Sequence, residues 1–415
     1  MKNSLRFPPN FLWGAATSSF QVEGGIENID WAKYAHEGKL PVIGHACDHY
    51  NRYEQDFDLV KSLGHTCHRL SIEWARIEPE EGTFDEKEIE HYRRVLQALH
   101  VRGIKPFITL WHFSLPLWFS ESGGFEKRKD APEIFARYSA YIVDKLGDLC
   151  THFATINEPL PYVSNGWRRG TWPPFKKWPL IDIIGTAVYT NSQKAKEDIS
   201  FKNIYYYFKV LHVLGKSHNS AYDAMKKVRP DVDVGIISHV IYFNSNNNPI
   251  NKFAAWVMNW HFNHHFLGHV HAKCDSIGLN YYFHKKFGDT KTYEKTDMGW
   301  DAVPEGIYGA LKILERYNKP IYVSEAGIAD ATDHMRADYI RGLVIGIHKA
   351  IQEGIDVLGF MYWSLLDNYE LAHGYTKRFG LIEVDFLTQQ RTIRPSAYVY
   401  KQICETNAIE LNSYE

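Results

Sequence analysis

Two glutamates at the ends of apolar runs are the residues of this sequence best suited to chemistry. The run HFATIN (152–157) is followed directly by Glu158, and the run PIYVSEA (320–326) carries Glu325. A buried, ionised carboxylate is costly unless another group pairs with it, so its presence at a strand end needs an explanation. A second carboxylate nearby would offer one, because two carboxyl groups can act together in catalysis. Two carboxyl groups that flank a glycosidic bond can hydrolyse it, one protonating the leaving oxygen and the other attacking the sugar or activating water. The sequence does not supply the separation that distinguishes these two routes.

Polar and aromatic residues also end most of the other apolar runs. Any one of them taken alone is best explained as an ordinary loop residue, because polar side chains favour the surface. Their recurrence at the ends of seven runs indicates a shared site. The candidate site residues are Gln21, Arg69, His112, Asn157, Glu158, Asn280, Tyr282, Glu325, Trp363 and Glu370.

Apolar runs alternate with amphipathic stretches along the chain, and helical periodicity is clear at 85–103, 131–148 and 334–354. This alternation predicts a parallel sheet covered by helices, and eight units favour a closed barrel over an open doubly wound sheet. No GxGxxG or Walker loop follows the first run, which weakens the open-sheet alternative. The eight runs are 11–17, 66–72, 105–111, 152–157, 232–240, 276–282, 320–326 and 357–363.

The predicted fold class is therefore α/β, a (β/α)8 TIM barrel that forms a single domain over residues 1–415. In this fold the active site lies at the carboxyl-terminal ends of the strands. Glu158 and Glu325 follow or end the fourth and seventh runs. We therefore expect their carboxylates to enter the mouth of the barrel from nearly opposite sides.

Composition limits the partners and the compartment. The 415 residues carry a net charge of −2, which argues against a nucleic acid or an anionic membrane as a partner held by bulk electrostatics. Five scattered cysteines without a CxxC pair favour a reducing compartment. The N-terminal MKNSLRFPPN has no apolar signal region, and no run approaches the roughly 18 apolar residues of a membrane span, so we expect a cytoplasmic protein. A homo-oligomer is compatible with the sequence.

These residues and their surroundings resemble glycoside hydrolase family 1, a family of β-glucosidases and β-galactosidases on a (β/α)8 barrel. TINEP (155–159) alone would be a moderate signal, but matching stretches follow in the family's order over nearly the whole chain. The other matching stretches are FLWGAATSSFQVEGG (11–25), CHRLSIEWARIEP (67–79), TLWHFSLPLWF (109–119), GLNYY (278–282), YVSEAG (322–327) and YWSLLDNYELAHGYTKRFGL (362–381).

The resemblance implies a retaining reaction. Glu325 would be the nucleophile that forms a covalent glycosyl-enzyme, and Glu158 would be the acid/base. Arg69 and Tyr282 would keep Glu325 ionised and oriented, because a nearby cation and a hydroxyl donor both favour a carboxylate. Such chemistry requires no metal and no organic cofactor.

The resemblance also implies roles in binding the sugar. Asn157 would hydrogen-bond the sugar 2-hydroxyl, a contact that strengthens toward the transition state. Trp363 would be the apolar floor beneath the ring. The remaining sugar-site residues are Gln21, His112 and Glu370, which would bind hydroxyls, and Asn280, which belongs to the surrounding shell.

Three features depart from the family's pattern. The usual Thr-Glu-Asn-Gly of the nucleophile motif is Ser-Glu-Ala-Gly here, so Ala326 removes an amide beside the nucleophile. Leu371 follows Glu370 where a Trp is usual, which removes an indole donor for the sugar's 3- and 4-hydroxyls. The chain is also shorter than many relatives, and we place the missing residues in loops at the barrel mouth, for instance around 283–303.

The branch of the family that cleaves 6-phosphoglycosides binds the phosphate through a Ser, a Lys and a Tyr after the eighth strand. Glu370 and Phe379 occupy the Ser and Tyr positions here, and only Lys377 agrees. A carboxylate at Glu370 would repel a phosphate. We therefore expect an unphosphorylated sugar.

Other conspicuous stretches have structural explanations. WHFNHHFLGHVHAKCD (260–275) carries five histidines but no third-ligand pattern for zinc, so we expect its histidines at the surface or in packing. TWPPFKKWP (171–179) fits either a contact with the leaving group or a loop packed over the barrel. The tyrosines at 205–207 fit a helix core or a protein contact.

The sequence therefore predicts a retaining β-glycosidase that hydrolyses terminal, non-reducing β-linked sugars of a small glycoside or oligosaccharide. Glucose is the first expectation, followed by galactose and fucose. One alternative is a carbohydrate-binding protein that has lost the chemistry, which the changes at Ala326 and Leu371 motivate and the retained glutamates oppose. The other is a transglycosylase, in which an acceptor sugar outcompetes water.

Overall fold

Parallel strands close into a barrel of eight in the computed structural model of this protein, which describes residues 4–179 and 198–411. The barrel strands are β1 (Leu12–Ala16), β2 (Cys67–Ser71), β3 (Lys105–Trp111), β4 (His152–Asn157), β5 (Asp233–His239), β6 (Ile277–Tyr281), β7 (Ile321–Ala326) and β8 (Val357–Trp363). Neighbours in the chain are neighbours in the ring, and β8 pairs with β1 to close it. Each predicted run contains one of these strands, so the (β/α)8 fold is confirmed.

The pairing register is irregular where the strands present candidate site residues. The β6–β7 ladder shifts between Leu279 and Asn280, so that Asn280 pairs with Glu325. The β4–β5 ladder shifts just before Asn157. A shift of this kind re-aims the side chains that follow it. These two irregularities lie toward the mouth of the barrel, where the candidate site residues are.

Helices follow the strands and cover the barrel. The longer ones are α1 (Asp30–His36), α2 (His49–Ser62), α3 (Glu86–Val101), α4 (Ala131–Leu146), α5 (Lys202–Val228), α6 (Pro249–Asn259), α7 (Gly306–Glu315), α8 (Arg336–Gln352) and α9 (Pro395–Thr406). The three predicted helical stretches correspond to α3, α4 and α8. Helix α3 shows the expected start, because the Asp85 side chain accepts from the backbone N–H groups of Lys87 and Glu88.

Short elements complete the chain. The short helices are Ser19–Val22, Trp74–Ile77, Leu117–Glu121, Gly124–Lys127, Pro159–Val163, Ser164–Arg168, Trp260–His264, Leu267–Val270, His271–Lys273 and Leu371–His373. The short strands are Ser4–Arg6, Lys176–Lys177, Asp198–Ile199, Tyr242–Ser245, His284–Phe287, Ile382–Val384, Arg391–Ile393 and Ala408–Glu410. The first and last of these strands pair with each other, which brings the two ends of the described chain together.

Aromatic side chains fill much of the core. Trp74, for example, is buried and stacks on Tyr138 with ring centroids 4.9 Å apart. Of the tyrosines at 205–207, Tyr207 is fully buried whereas Tyr205 is exposed, so the run belongs to the helix core on one side only. All five cysteines lie within the described residues, are buried and form no disulfide. None of the helices in the described part of the chain has the length and apolar character to cross a membrane.

Candidate active site

A cavity of about 130 Å³ opens at the carboxyl-terminal ends of the barrel strands. Its walls include most of the residues that the sequence singled out, and the remaining two, Arg69 and Asn280, hydrogen-bond directly to residues of the wall. The structure therefore brings all of the predicted site residues together. The predicted residues that line the cavity are Gln21, His112, Asn157, Glu158, Tyr282, Glu325, Trp363 and Glu370.

Glu325 is held at both carboxylate oxygens. It lies in β7 and is 3% exposed. Its Oε1 accepts a short hydrogen bond from Arg69 Nη1, and its Oε2 accepts from the Tyr282 hydroxyl at 2.6 Å. Burial raises the pKa of Glu325 and the negative charge of Glu158 adds to this, whereas the Arg69 cation and the Tyr282 hydroxyl oppose the rise. The two contacts therefore fix the carboxylate and offset part of the effect of burial, although the pKa of Glu325 stays above its ordinary value.

Arg69 is the buried cation that organises this region. It is the central residue of β2, and its Nε donates to Thr109 of β3 at 2.8 Å. Its Nη2 donates to Asn157 Oδ1 at 2.9 Å, while Nη1 contacts the Glu325 side chain. A guanidinium suits this position because its donors point in fixed, divergent directions. One side chain thus connects residues of β2, β3, β4 and β7.

Glu158 follows the last residue of β4 and has a backbone φ of +47°. A left-handed conformation is uncommon for a residue other than glycine, and such residues are concentrated at functional sites. Its Oε1 accepts from Asn280 Nδ2 at 2.8 Å, and the same amide lies 3.2 Å from Asn157 Oδ1. The Ser324 hydroxyl in turn donates to Asn280 Oδ1 at 2.8 Å. Glu158 is therefore oriented by the Asn280 amide and not by a guanidinium.

The opposite part of the cavity contains unsatisfied acceptors. Gln21 uses its Nε2 to donate to Asn368 and to the Tyr369 carbonyl, but its Oε1 is buried without a partner among the described residues. Glu370 Oε2 is also buried without a hydrogen-bond partner among the described residues. Buried acceptors nearly always have a donor, so this pair favours a ligand rich in hydroxyl groups. Trp363 supplies an apolar surface beside them.

The environment shifts the protonation of two residues that line this region. Burial, followed by the negative charges of Glu325 and Glu158, raises the pKa of Glu370 from 4.5 to about 8, against a hydrogen bond from Trp363. Burial and then the Arg69 cation lower the pKa of His112 well below 6.5. His112 is therefore a neutral imidazole, with its Nε2 3.2 Å from Asn157 Nδ2. Its ring lies nearly parallel to Trp363, with centroids 5.8 Å apart.

One residue that contacts Glu158 was missed by the sequence prediction. His239 ends β5, lines the cavity and places its Nδ1 3.2 Å from Glu158 Oε1. The signal was present in the fifth run, VDVGIISHV, which also ends in a polar residue. Further wall residues that the prediction did not name come from loops and short helices. They are Phe113, Leu160, Pro161, Ser164, Asn165, Arg169, Ile241, Phe262, Phe283, Met298, Trp300 and His373.

The stretches with open interpretations can now be placed. Trp172 of the 171–179 stretch lines the cavity and also packs on Trp31 and Phe113, so both explanations apply to it. His261 lies 3.0 Å from the Tyr207 hydroxyl, as expected for a packed histidine. Within the described residues no group of three or more His, Cys, Asp or Glu side chains is arranged to hold a metal ion.

The departures from the family's pattern also have structural counterparts. Leu371 lines the cavity next to Glu370, so this edge of the sugar site is apolar. Lys377 donates to the Asp297 carbonyl at 2.7 Å, and Phe379 lines the cavity. Ala326 is fully buried in the barrel. The 283–303 segment, where we placed missing residues, contributes Phe283, Met298 and Trp300 to the wall.

Comparisons with known proteins agree with this geometry. The family model described as Glycosyl hydrolase family 1 matches residues 3–278 and 271–409. Beta-glucosidase A of Thermotoga maritima is 32% identical over 98% of this chain and 100% of its own length. The structure of a beta-glycosidase from Pyrococcus horikoshii matches with a TM-score of 0.85 at 36% identity, covering 98% of this chain and 96% of that one.

A second solved structure is the beta-glucosidase from Thermotoga maritima in complex with glucoimidazole, with a TM-score of 0.85 at 30% identity over 97% of this chain and 99% of that one. The family match and these relatives extend over nearly the full length of the chain. This protein belongs to glycosyl hydrolase family 1.

Proposed function

We propose that this protein is a retaining β-glycosidase that removes terminal, non-reducing β-linked sugars, with β-glucosides as the first expected substrates. One observation carries the proposal. Two glutamates from different strands line the same cavity, and their contacts differ: Glu325 is bound by a cation and a hydroxyl, whereas Glu158 is bound by amide and imidazole groups. This asymmetry suits a nucleophile and an acid, respectively.

The two carboxyl groups differ in the donors that contact them. The Arg69 guanidinium and the Tyr282 hydroxyl donate to Glu325, and donors to a carboxylate favour its charged form. Glu158 has no guanidinium contact of this kind among the described residues, and this difference in contacts is the basis on which we assign the two roles. Glu325 then acts as the nucleophile while Glu158 acts as the acid.

In the first half-reaction a Glu325 oxygen attacks the anomeric carbon. The bond from that carbon to the glycosidic oxygen breaks, and Glu158 gives its proton to the departing oxygen. The sugar is then joined to Glu325 through an ester bond, so the negative charge of Glu325 is gone. Asn157, which Arg69 holds at 2.9 Å, would meet the sugar 2-hydroxyl at this stage.

In the second half-reaction water attacks the same carbon. Glu158, now a carboxylate, takes a proton from the water, and the bond between the sugar and Glu325 breaks. The second displacement restores the original anomeric configuration. One residue can serve as acid and then as base because the charge on Glu325 disappears between the two steps and returns at the end.

Recognition of the sugar would fall to Gln21, Glu370 and Trp363. The unpartnered oxygens of Gln21 and Glu370 would hydrogen-bond to hydroxyl groups, and Trp363 would pack against the apolar face of the ring. Phe379, which stands where a phosphate-binding tyrosine would be, and a Lys377 already engaged by a carbonyl favour an unphosphorylated sugar. Phe283 and Trp300, which pack near His239, would contact the leaving group.

The direct test is a panel of nitrophenyl β-glycosides assayed with the wild-type protein and the Glu325→Gln variant. We expect dye release by the wild type, fastest for glucoside, and none by the variant. Proton NMR of the reaction should show the β-anomer of the free sugar as the first product. Equal, negligible release by both proteins over the whole panel would support a carbohydrate-binding protein instead.

Product analysis at high acceptor concentration separates hydrolysis from transglycosylation. Free sugar as the main product supports the proposal, and new glycosides as the main product support the transglycosylase. The single domain over residues 1–415, the cytoplasmic location and the oligomeric state remain predictions. Cell fractionation tests the location, and light scattering of the purified protein tests the oligomeric state.

A further inference from the structure

His239 is the neighbour of Glu158 for which neither the predicted roles nor the family match provides a function. It ends β5, the strand next to β4, and its side chain is 12% exposed. Its ring lies at 27° to the ring of Tyr282, with centroids 5.9 Å apart, and packs against Phe283 at 5.7 Å. Aromatic packing on two sides therefore fixes the direction in which its nitrogens point.

Two contacts converge on one oxygen of Glu158. His239 Nδ1 lies 3.2 Å from Oε1, and Asn280 Nδ2 donates to the same Oε1 at 2.8 Å. A carboxyl oxygen occupied by two nitrogen partners is poorly placed to hand a proton to a substrate. Proton delivery therefore falls to the other oxygen, Oε2.

The surroundings of the imidazole determine which of its nitrogens carries the proton. His239 Nε2 is buried and has no hydrogen-bond partner among the described residues. If Nδ1 were the acceptor, the proton of a neutral ring would lie on Nε2 as a buried N–H without an acceptor. A buried orphan N–H is rarer and costlier than a bare acceptor. His239 is therefore the tautomer whose Nδ1–H donates to Glu158.

We propose that His239 is a positioning residue for the acid/base of this enzyme. Its Nδ1–H, together with the Asn280 amide, fixes Oε1 of Glu158 and stabilises the carboxylate that remains when Oε2 gives its proton to the leaving oxygen. The inference rests on the proposed β-glycosidase function. It adds a residue that acts through Glu158 and matters most for leaving groups that cannot depart without a proton.

Other charged and titratable groups face Glu158 and set the background for this effect. They include two carboxyl groups and two guanidinium groups, so charges of both signs surround Glu158. None of them contacts Glu158 Oε1 in the hydrogen bonds described for the structure, so removal of the imidazole donor changes that oxygen selectively. These groups are Glu325, Glu370, Tyr282, Arg69, His112 and Arg169.

Two substitutions at this position separate the hydrogen bond from the packing. His239→Phe keeps a ring against Tyr282 and removes the donor, and His239→Asn restores a donor near the position of Nδ1. His36→Gln is the matched control, because His36 also contacts a carboxylate, that of Glu27 at 2.7 Å, but both side chains are 64% exposed and neither lines the cavity. Thermal unfolding of each variant checks that it is folded.

The substrates are an alkyl β-glucoside, which needs a proton on its leaving oxygen, and a 2,4-dinitrophenyl β-glucoside, which does not. For His239→Phe we expect kcat/KM to fall about 10- to 100-fold on the alkyl substrate and less than about threefold on the dinitrophenyl substrate. His239→Asn should recover most of the loss, and His36→Gln should match the wild type on both.

The pH profile supplies the second readout. Loss of a donor to a carboxylate favours its protonated form, so the alkaline limb of kcat/KM should move to higher pH in His239→Phe and return in His239→Asn. Equal losses on both substrates, an unmoved alkaline limb, or no recovery with Asn would overturn the inference while leaving the β-glycosidase function intact. If the wild type hydrolyses neither substrate, the proposed function fails and the inference fails with it.

Discussion

Two groups of buried carboxyl groups invite a comparison, because only the first of them borders the active-site cavity. The first group is Glu158, Glu325 and Glu370 at the barrel mouth. The second is Asp30 and Glu73, which we call the Glu73 cluster. Burial raises the pKa of both members of the Glu73 cluster to about 7, just as it raises the pKa of Glu370 to about 8. Perturbed protonation therefore does not separate the two groups.

Hydrogen bonding separates them. Glu73 accepts from the hydroxyls of Ser19 and Ser114, and Asp30 accepts from the backbone N–H of Leu115 at 2.9 Å. At the barrel mouth, Glu370 Oε2 has no partner among the described residues. The protein's own groups supply hydrogen-bond partners to the Glu73 cluster, whereas at the barrel mouth one carboxyl oxygen still lacks a partner among the described residues. The unmet hydrogen bond, and not the shifted pKa, is what distinguishes a site for a ligand from a structural cluster.

The most direct test of this distinction between a ligand site and a structural cluster is to replace one glutamate in each place by glutamine. Glu325→Gln should lower kcat on nitrophenyl β-glucoside by on the order of 10⁴-fold, because an amide cannot form the covalent intermediate. Glu73→Gln should leave kcat near the wild-type value, because Glu73 does not line the cavity. Steady-state kinetics of both variants decide the matter, and similar losses in both would refute the distinction.

Glu158→Ala should have the next largest effect, and a selective one. Loss of the acid should lower kcat/KM on an alkyl β-glucoside by about 10²- to 10⁴-fold, and an activated dinitrophenyl glucoside should be affected far less. Added azide should restore turnover of the activated substrate and yield a β-glycosyl azide, because azide attacks the glycosyl-enzyme without a base. Equal losses on both substrates would contradict the role of Glu158.

Glu370→Gln sharpens the comparison through stability. A carboxyl group with a folded-state pKa of about 8, compared with 4.5 for the ordinary group, binds more protons when folded. The free energy of unfolding of the wild type therefore falls as the pH rises from about 4.5 to 8, because the folded state keeps a proton that the unfolded state has lost. The free energy of unfolding of the variant should exceed that of the wild type by on the order of 2 kcal/mol at pH 8.5, and the two values should differ little near pH 5. Denaturant unfolding at both pH values measures this, and parallel profiles would count against it.

Glu73→Gln should show a smaller effect of the same sign over a narrower range. The folded-state pKa of Glu73 is about 7, so the free energy of unfolding lost by the wild type should accumulate between about pH 4.5 and 7 and then level off. Over this pH range we expect the free energy of unfolding to fall by on the order of 1 kcal/mol less in the variant than in the wild type. Unfolding curves collected from pH 5 to 8.5 test it, and a change that continued to grow above pH 7.5 would be inconsistent with the assignment.

Much of the fold and the site could be predicted because the signals were local. Each barrel strand is an apolar run, and the residues that end the strands are fixed in the mouth by the parallel topology. Glu158, Arg69 and Glu325 could therefore be placed together from patterns of a few residues each. His239 follows the same rule, because it is the last residue of the fifth barrel strand.

Other parts of the site depended on tertiary packing. Phe113, Trp172 and Trp300 reach the cavity from loops whose course is set by contacts between distant segments, and periodicity carries no information about such contacts. The difference between the Glu73 cluster and the cavity could not be predicted either. Glu73 lies in SIEW, close to a strand end, but only the structure shows that Ser19 and Ser114 occupy its oxygens.

The contacts of Arg69 have a consequence for how the protein matures. The guanidinium meets Glu325, which lies 256 positions later in the chain, through a pairing that exists only when the first and second halves of the barrel have come together. An amino-terminal fragment that ends before Glu325 cannot orient the nucleophile, since it lacks that residue. Catalytic activity should therefore appear late in synthesis and in a single step, when the eight-stranded barrel has closed.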